Sequence, residues 1–151
     1  MAFYHVYNVS GGRPLILDWL SKDTETLNIG DFGNMESGEV DLGATNDTDF
    51  IGQIVGAGSA DNFVTTAGAT FGDITAVDST TTIKVISNPD AVYTDRTTTT
   101  RLAGATLDIA GATGAQAFAA TANVDFTIVV SSRTGEDTLA KVAPGEHYLD
   151  P

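Results

Sequence analysis

The sequence predicts an all-β fold: a compact antiparallel β-barrel or β-sandwich of short strands, with an extended N-terminal arm. Three observations carry this reading. Short stretches alternate apolar and polar residues, as a half-buried strand requires. Turn signals recur about every 8–12 residues, the spacing of sandwiches and barrels. Threonine is abundant, in "STTTI" and "RTTTTR", and its branched Cβ favours extended backbone. No long amphipathic helix is evident.

The texture of the chain divides it into residues 1–26, an apolar and aromatic arm; 27–143, the β domain; and 144–151, a tail. The arm holds Phe3, Tyr4, Val6, Tyr7, Val9, Leu15, Ile16, Leu17, Trp19 and Leu20, including the single tryptophan of the protein. "FYHVYNV" alternates like a strand and "SGGRP" interrupts it, while "LILDWL" is short enough for a strand or a helical turn. Such a segment either enters the domain core or docks on a neighbour.

In the β domain, "GEVDL" sets Val40 and Leu42 on one face, and "DFIGQIVG" follows the polar turn "GATND" as its expected antiparallel partner. "TTIKVI" alternates Ile83 and Val85 with Thr82 and Lys84. "NVDFTIVV" is the clearest strand, with Val124, Phe126, Ile128 and Val130 predicted inward and Asn123, Asp125 and Thr127 outward. "PDAVYTD" and "EDTLAKV" are each compatible with a helical turn.

The tetrapeptide Ala-Gly-Ala-Thr occurs at 67–70, 103–106 and 110–113, with starts 36 and 7 residues apart, so no constant repeat period exists. The last two copies flank a short predicted strand, Thr106–Ile109, and their Gly104 and Gly111 are expected to turn the chain. Neither copy cradles a phosphate by motif, because Gly114 is followed by Ala115 and Gln116 instead of Lys-Ser/Thr. A dinucleotide fingerprint needs other glycine spacing and a following helix.

Composition restricts function further. At 151 residues and 42% hydrophobic, one domain with a sizeable core is expected without metal or disulfide support. There is no cysteine, which removes thiol nucleophiles, thiolate metal sites and disulfides. Seven Lys+Arg against twenty Asp+Glu leave a net charge of −13. Direct nucleic acid binding, which depends on cations displacing phosphate counterions, is not expected. No apolar run reaches the length of a membrane span, and the start lacks the pattern of a secretory leader. The sequons at Asn8 and Asn46 are read as chance, and the chain as a product of a cytosol.

Catalytic constellations are weak. His5 and His147 lie near opposite ends, no G-x-S-x-G elbow surrounds Ser59, and both histidines are expected to be exposed or interfacial. Carboxylate pairs follow from the number of acids. "NDTDF" gathers Asn46, Asp47 and Asp49 but lacks the glycine and distant glutamate of a calcium loop, so a polar turn is expected. No catalytic residue, cofactor or metal ligand is assigned. "RTTTTR" is expected as an exposed loop or edge strand in which Arg96 and Arg101 suit a subunit contact.

The succession "GDFGNMESGEVDLGA", "DFIGQIVGAG", "TTIKVISNPDAVYTD", "RLAGATLDIAGATGAQAF" and "DFTIVVSS", from about Leu27 to Pro144, resembles the small cement (decoration) proteins of tailed bacteriophage capsids. The resemblance lies in texture and order of elements. It implies a β-barrel or β-sandwich, often trimeric, that sits on the outer surface of an icosahedral virion shell and clamps neighbouring capsomers against internal DNA pressure. Its partners would be the major capsid protein and copies of itself. On that reading Phe3, Tyr4, Tyr7 and Trp19 are expected among the interface anchors, with Arg96 and Arg101. The alternative for the aromatics is that they close one end of the core. A tail or fibre component shares the same texture. A carbohydrate-binding module would need exposed aromatics, whereas Phe32, Phe50, Phe63, Phe71, Tyr93, Phe118 and Phe126 sit mostly in apolar strand settings.

Overall fold

The computed structural model describes residues 2–22, 25–45, 47–58, 73–75, 81–120 and 124–150, with 73–75 as backbone only. The described residues form thirteen strands: β1 (Tyr4–Asn8), β2 (Ile16–Leu20), β3 (Thr26–Asn28), β4 (Phe32–Glu36), β5 (Glu39–Leu42), β6 (Phe50–Ala57), β7 (Asp73–Thr75), β8 (Thr82–Ile86), β9 (Ala91–Thr94), β10 (Thr106–Ala110), β11 (Ala117–Ala119), β12 (Phe126–Val130) and β13 (Leu139–Val142). No helix occurs among the described residues. The fold is all-β, as the sequence predicts.

Two sheets make the sandwich. One has six strands in the order β1–β9–β13–β12–β10–β11; the other has five, β2–β8–β6–β4–β5; β3 and β7 form a separate ribbon. Every strand pairing is antiparallel. Between the sheets lies an aromatic core built on Phe3, Phe32, Phe50, Tyr93, Phe118 and Phe126. Phe32 meets Tyr93 edge-on at 4.8 Å and Phe126 at 5.0 Å. Each such pair adds about 0.5–1.5 kcal/mol beyond the area that it buries.

The five-stranded sheet is apolar on its other face as well. Leu27, Met35, Val40, Ile51, Ile54, Ile83 and Val85 form a second core against which Trp19 packs. This sheet curls until its two edges touch: Ser21 bridges Val40, and the Lys22 N–H donates to the Val40 carbonyl at 2.9 Å. The Lys22 ammonium then reaches Glu36 and Asp41 across the seam, both at 2.5 Å. The layers are those of a sandwich, with one of them rolled towards a barrel.

Several local expectations change. β6 pairs with β4 and β8, not with β5; the hairpin is β4–β5, closed through Ser37 and Gly38, both at positive φ. "PDAVYTD" and "EDTLAKV" supply strands β9 and β13 instead of helical turns. The ends of "NVDFTIVV" also differ. Phe126 and Ile128 face the core, but Val124 and Val130 are each 48% exposed, while Asp125 is 1% exposed. A register shift between Ile128 and Val130 turns the far end of the strand outward. Asp125 is drawn in by the backbone: its Oδ2 accepts from Ile109 N–H at 2.9 Å.

The glycines of the last two tetrapeptide copies do turn the chain on either side of β10, with φ of +83° at Gly104 and +117° at Gly111. At Gly111 a Cβ would collide with the Ala115 carbonyl. The turn that follows docks on β3 and the turn after it, through Thr113 Oγ1–H to Thr26 O at 3.0 Å and Gly114 N–H to Asp31 Oδ1 at 2.8 Å. The copy at 67–70, along with Ser59, Phe63, Phe71 and Asn46, lies outside the described residues.

Candidate interaction surface

The apolar segment read as an arm is incorporated into the sandwich wherever it is described. β1 pairs with β9, and β2 pairs with β8. Because β1 and β9 lie in the six-stranded sheet while β2 and β8 lie in the other, these segments cross together from one layer to the next. The crossing is fixed by the turn "SNPD". Val9 N–H donates to Asp90 O at 3.0 Å, Ser87 N–H to Leu15 O at 2.8 Å, and Leu15 N–H to Asn88 Oδ1. Ser10 N–H donates to Asp90 Oδ2 at 2.8 Å. The Ser10 side chain and backbone hold the Asp90 carboxyl below its ordinary range.

This crossing sorts the apolar residues of the segment. Phe3 is fully buried, its ring 5.1 Å from Phe118 and its N–H bonded to Gly30 O at 2.9 Å. It is therefore a core residue of the single chain, not a free anchor. Trp19 is half-buried: Nε1–H donates to Ser87 Oγ at 3.0 Å and the ring meets Tyr148 edge-on at 5.9 Å. Facing outward are Val6, Tyr7 and Val9 beside β1, and Leu15, Ile16 and Leu20 beside β2. Val9 is 56% and Ile16 51% exposed. These two groups flank the edge strands of both sheets.

Tyr4 and Arg96 do come together. The Arg96 guanidinium carbon lies 4.3 Å above the Tyr4 ring centroid, a cation–π contact. Arg96 itself adopts φ +62°, which its preceding hydrogen bond supports: Arg96 N–H donates to Thr94 Oγ1 at 2.9 Å. Arg101 is half-buried, exchanges backbone hydrogen bonds with Ser132 at 3.0 and 3.2 Å, and has a buried Nε without a hydrogen-bond partner.

The threonine run between these arginines is a loop zipped to the β12–β13 connection. Thr138 N–H donates to Thr97 O at 2.9 Å, Ser132 Oγ–H to Thr99 O at 3.0 Å, and Thr100 and Thr134 share a hydroxyl bond of 3.0 Å. Beside this loop stands Leu102, 71% exposed. Thus the six predicted anchors occupy different settings: Tyr4 with Arg96, Tyr7 exposed nearby on β1, Trp19 against Tyr148, Arg101 against Ser132, and Phe3 inside. The structure adds Val6, Val9, Leu15, Ile16, Leu20 and Leu102 to the exposed set. The density of apolar residues in the first twenty positions was the signal for five of them; Leu102 carries none.

The histidines and the acidic turn occupy separate settings. His5 Nε2 is bonded to Asn8 Oδ1 at 2.9 Å. His147, expected to be exposed or interfacial, is buried within the single chain, because residues 146–148 pair with Phe50 of β6. Burial lowers its pKa to about 4. Burial also pushes the Asp125 carboxyl up to about 6, against the Ile109 N–H bond, with Asp108, Glu146 and Asp47 adding like charge. Asp47 Oδ2 accepts from Ala44 N–H at 2.7 Å, closing a polar turn. Among the described residues no three His, Asp or Glu side chains gather as metal ligands, and no helix is long and apolar enough to cross a membrane. Phe32, Phe50, Tyr93, Phe118 and Phe126 are all core residues, so they offer no planar sugar platform. No protein-family model matches the chain, and no curated protein is similar to it in sequence.

Proposed function

We propose that this chain is a structural virion protein that binds the outer surface of an icosahedral phage capsid and clamps neighbouring capsomers. The observation that carries the reading is the exposed apolar set at the two edge strands: Val6, Tyr7 and Val9 with Leu15, Ile16 and Leu20. Exposed apolar groups concentrated on a well-packed domain mark contact surfaces. The order of elements from Leu27 to Pro144, similar to that of cement proteins, supports the major capsid protein as the partner.

The mechanism follows from geometry and number. A rigid sandwich with its edge strands against the shell would bury a standard interface, roughly 800 Å² per partner. Self-association, as a trimer on this reading, would convert several such contacts into one slow-leaving clamp. The net charge of −13 keeps free copies soluble and directs them to basic or mixed-charge surfaces.

The test is the absolute mass of the purified protein, alone and mixed with emptied shells of the phage that encodes it. A stable oligomer that co-sediments with shells and raises their melting temperature supports the reading. A monomer that ignores the shells ends it.

A further inference from the structure

We propose that the strap Glu146–Asp150 is a proton-released latch on the edge of β6, with His147 as its sensing group. The strap is attached through one residue of β6. Phe50 N–H donates to Glu146 O at 2.9 Å, and Tyr148 N–H donates to Phe50 O at 2.9 Å, which makes His147 the parallel partner of Phe50. A third contact joins the strap to β2, where the Tyr148 ring stands edge-on to Trp19 at 5.9 Å.

His147 is 3% exposed and its surroundings favour the neutral ring. Nδ1 accepts a hydrogen bond from Leu149 N–H at 3.1 Å, so the ring proton resides on Nε2. That nitrogen is buried and has no hydrogen-bond partner. A second proton on Nδ1 would set donor against donor at Leu149 and place a full charge where one N–H is already unpaired, a costly arrangement away from water. The groups that face the ring act in the same framework. Burial lowers its pKa to about 4, while the Asp150 carboxylate and the Ile51 backbone oppose that shift. β6 presents Phe50 and Ile51, which carry no titratable side chain; β2 meets the strap through Trp19.

The imidazolium is relieved when the strap swings out, since the ring then reaches water and Leu149 N–H finds a water acceptor. Leaving uncovers both backbone groups of Phe50 and one edge of Trp19. Segments held by a few backbone hydrogen bonds open far more readily than the body of a sheet. The six-stranded sheet holds its own ladder, in which β12 pairs with β10 and β13. This inference is independent of the capsid reading and survives its failure.

The experiment is amide hydrogen exchange on the full chain between pH 7 and pH 4, corrected for intrinsic rates, alongside fluorescence of the single tryptophan. For an opening linked to one proton, exchange at Phe50, Tyr148 and Leu149 is expected to rise about 100-fold over that range. Trp19 emission should shift to the red with the same midpoint, while β12 amides stay protected. His147→Gln should remove the pH dependence of all three amides, and His147→Phe, which keeps a ring in the site, should do the same. Exchange at those amides that does not change with pH overturns the latch. So does an equal rise in both variants, or opening of β12 in step with the strap.

Discussion

Gln116 satisfies both backbone groups of Phe32, a residue 84 positions away: its Oε1 accepts from Phe32 N–H at 2.5 Å and its Nε2 donates to Phe32 O at 3.3 Å. The same Nε2 donates to Gly43 O at 2.6 Å. A side-chain amide thus supplements the backbone at the start of β4, where Phe32 O also accepts from Gly43 N–H at 2.8 Å. Gln116 is almost wholly buried, and so are the groups that it serves.

Gln116→Ala should therefore destabilise the protein by about 2–4 kcal/mol, since it leaves one buried donor, Phe32 N–H, and one buried acceptor, Gly43 O, without the amide, while Phe32 O keeps its bond from Gly43 N–H. Gln116→Glu is the sharper variant. It keeps the shape and the bond from Phe32 N–H but turns a charge towards two carbonyls, so its cost should be largest at neutral pH and shrink as the carboxyl protonates. Urea unfolding at pH 7 and pH 4 measures both. A loss below about 0.5 kcal/mol for the alanine variant would show that water replaces the amide.

A second prediction concerns Gly52. It lies at φ +131° in β6, beside the register shift opposite Gly33 and Asn34, and a Cβ there would overlap the Ile86 carbonyl oxygen. The colliding atoms are strand backbone of Ile86, which cannot turn aside as a flexible side chain would, and the Tyr93 hydroxyl closes in at 3.3 Å. Gly52→Ala should prevent folding or cost more than about 4 kcal/mol. Gly38→Ala is the control: φ is +87° but nothing lies within 4 Å of a built Cβ, so about 1 kcal/mol of backbone strain is expected. Circular dichroism and urea midpoints of the two variants separate steric closure from backbone preference. Equal effects would contradict the packing described for β6.

The strands that sequence reveals best are those with one wet face. β8 is such a case: Ile83 and Val85 enter the second core and Lys84 pairs with Asp18 at 2.9 Å. Alternation fails where both faces are covered or where the strand shifts register. β9 is buried at all four positions, so "AVYT" shows no alternation that would separate a strand from a helical turn. β6 feeds two cores, with Phe50 in one and Ile51 and Ile54 in the other. Its neighbours could not be inferred because either flank of such a strand accepts a partner. The exposed surface was legible as apolar density in residues 1–20, but its sorting into Phe3 inside and Val9 outside depends on the crossing held by Asn88 and Asp90. That is a tertiary fact with no local signature.

Asp125 gives a pH prediction whose sign can be worked out. Its folded pKa, about 6, stands above the ordinary carboxyl value of 3.8. Between those values the folded state binds more protons than the unfolded one, so stability falls as pH rises through this window. The full penalty is present above pH 6 and absent below pH 4. Asp125→Asn keeps an oxygen for Ile109 N–H and removes the charge, so it should raise stability by about 1–2 kcal/mol at pH 8 and by nothing at pH 3. His147 has the opposite slope, because its lowered pKa costs stability as pH falls from 6.5 towards 4. Thermal unfolding across pH 3–8 in Asp125→Asn should then show the acid-side loss undiminished, and a variant curve parallel to the wild type would refute the assignment.

The last prediction addresses the arginine loop. Arg96 is exposed above Tyr4, and its loop is held by backbone and hydroxyl bonds to the connection after β12, none of which uses the Arg96 side chain. Arg101 is joined to Ser132 through its backbone. Replacing both with alanine should leave the loop in place and change the stability of the single chain little: the exposed charge of Arg96 contributes about 0–1 kcal/mol, and truncating the half-buried Arg101 also removes a buried Nε that has no partner. If the loop lies in a subunit or shell contact, the loss appears in association, where truncating arginines at a desolvated contact costs about 1–2 kcal/mol or more. The double variant Arg96→Ala/Arg101→Ala is expected to show wild-type unfolding and roughly tenfold weaker occupancy of shells in a sedimentation assay. Unchanged occupancy would remove this loop from the interface and leave the edge-strand residues Val6, Tyr7, Val9, Leu15, Ile16 and Leu20 as the contact to examine. A fall in stability equal to the fall in occupancy would instead make both arginines supports of the loop.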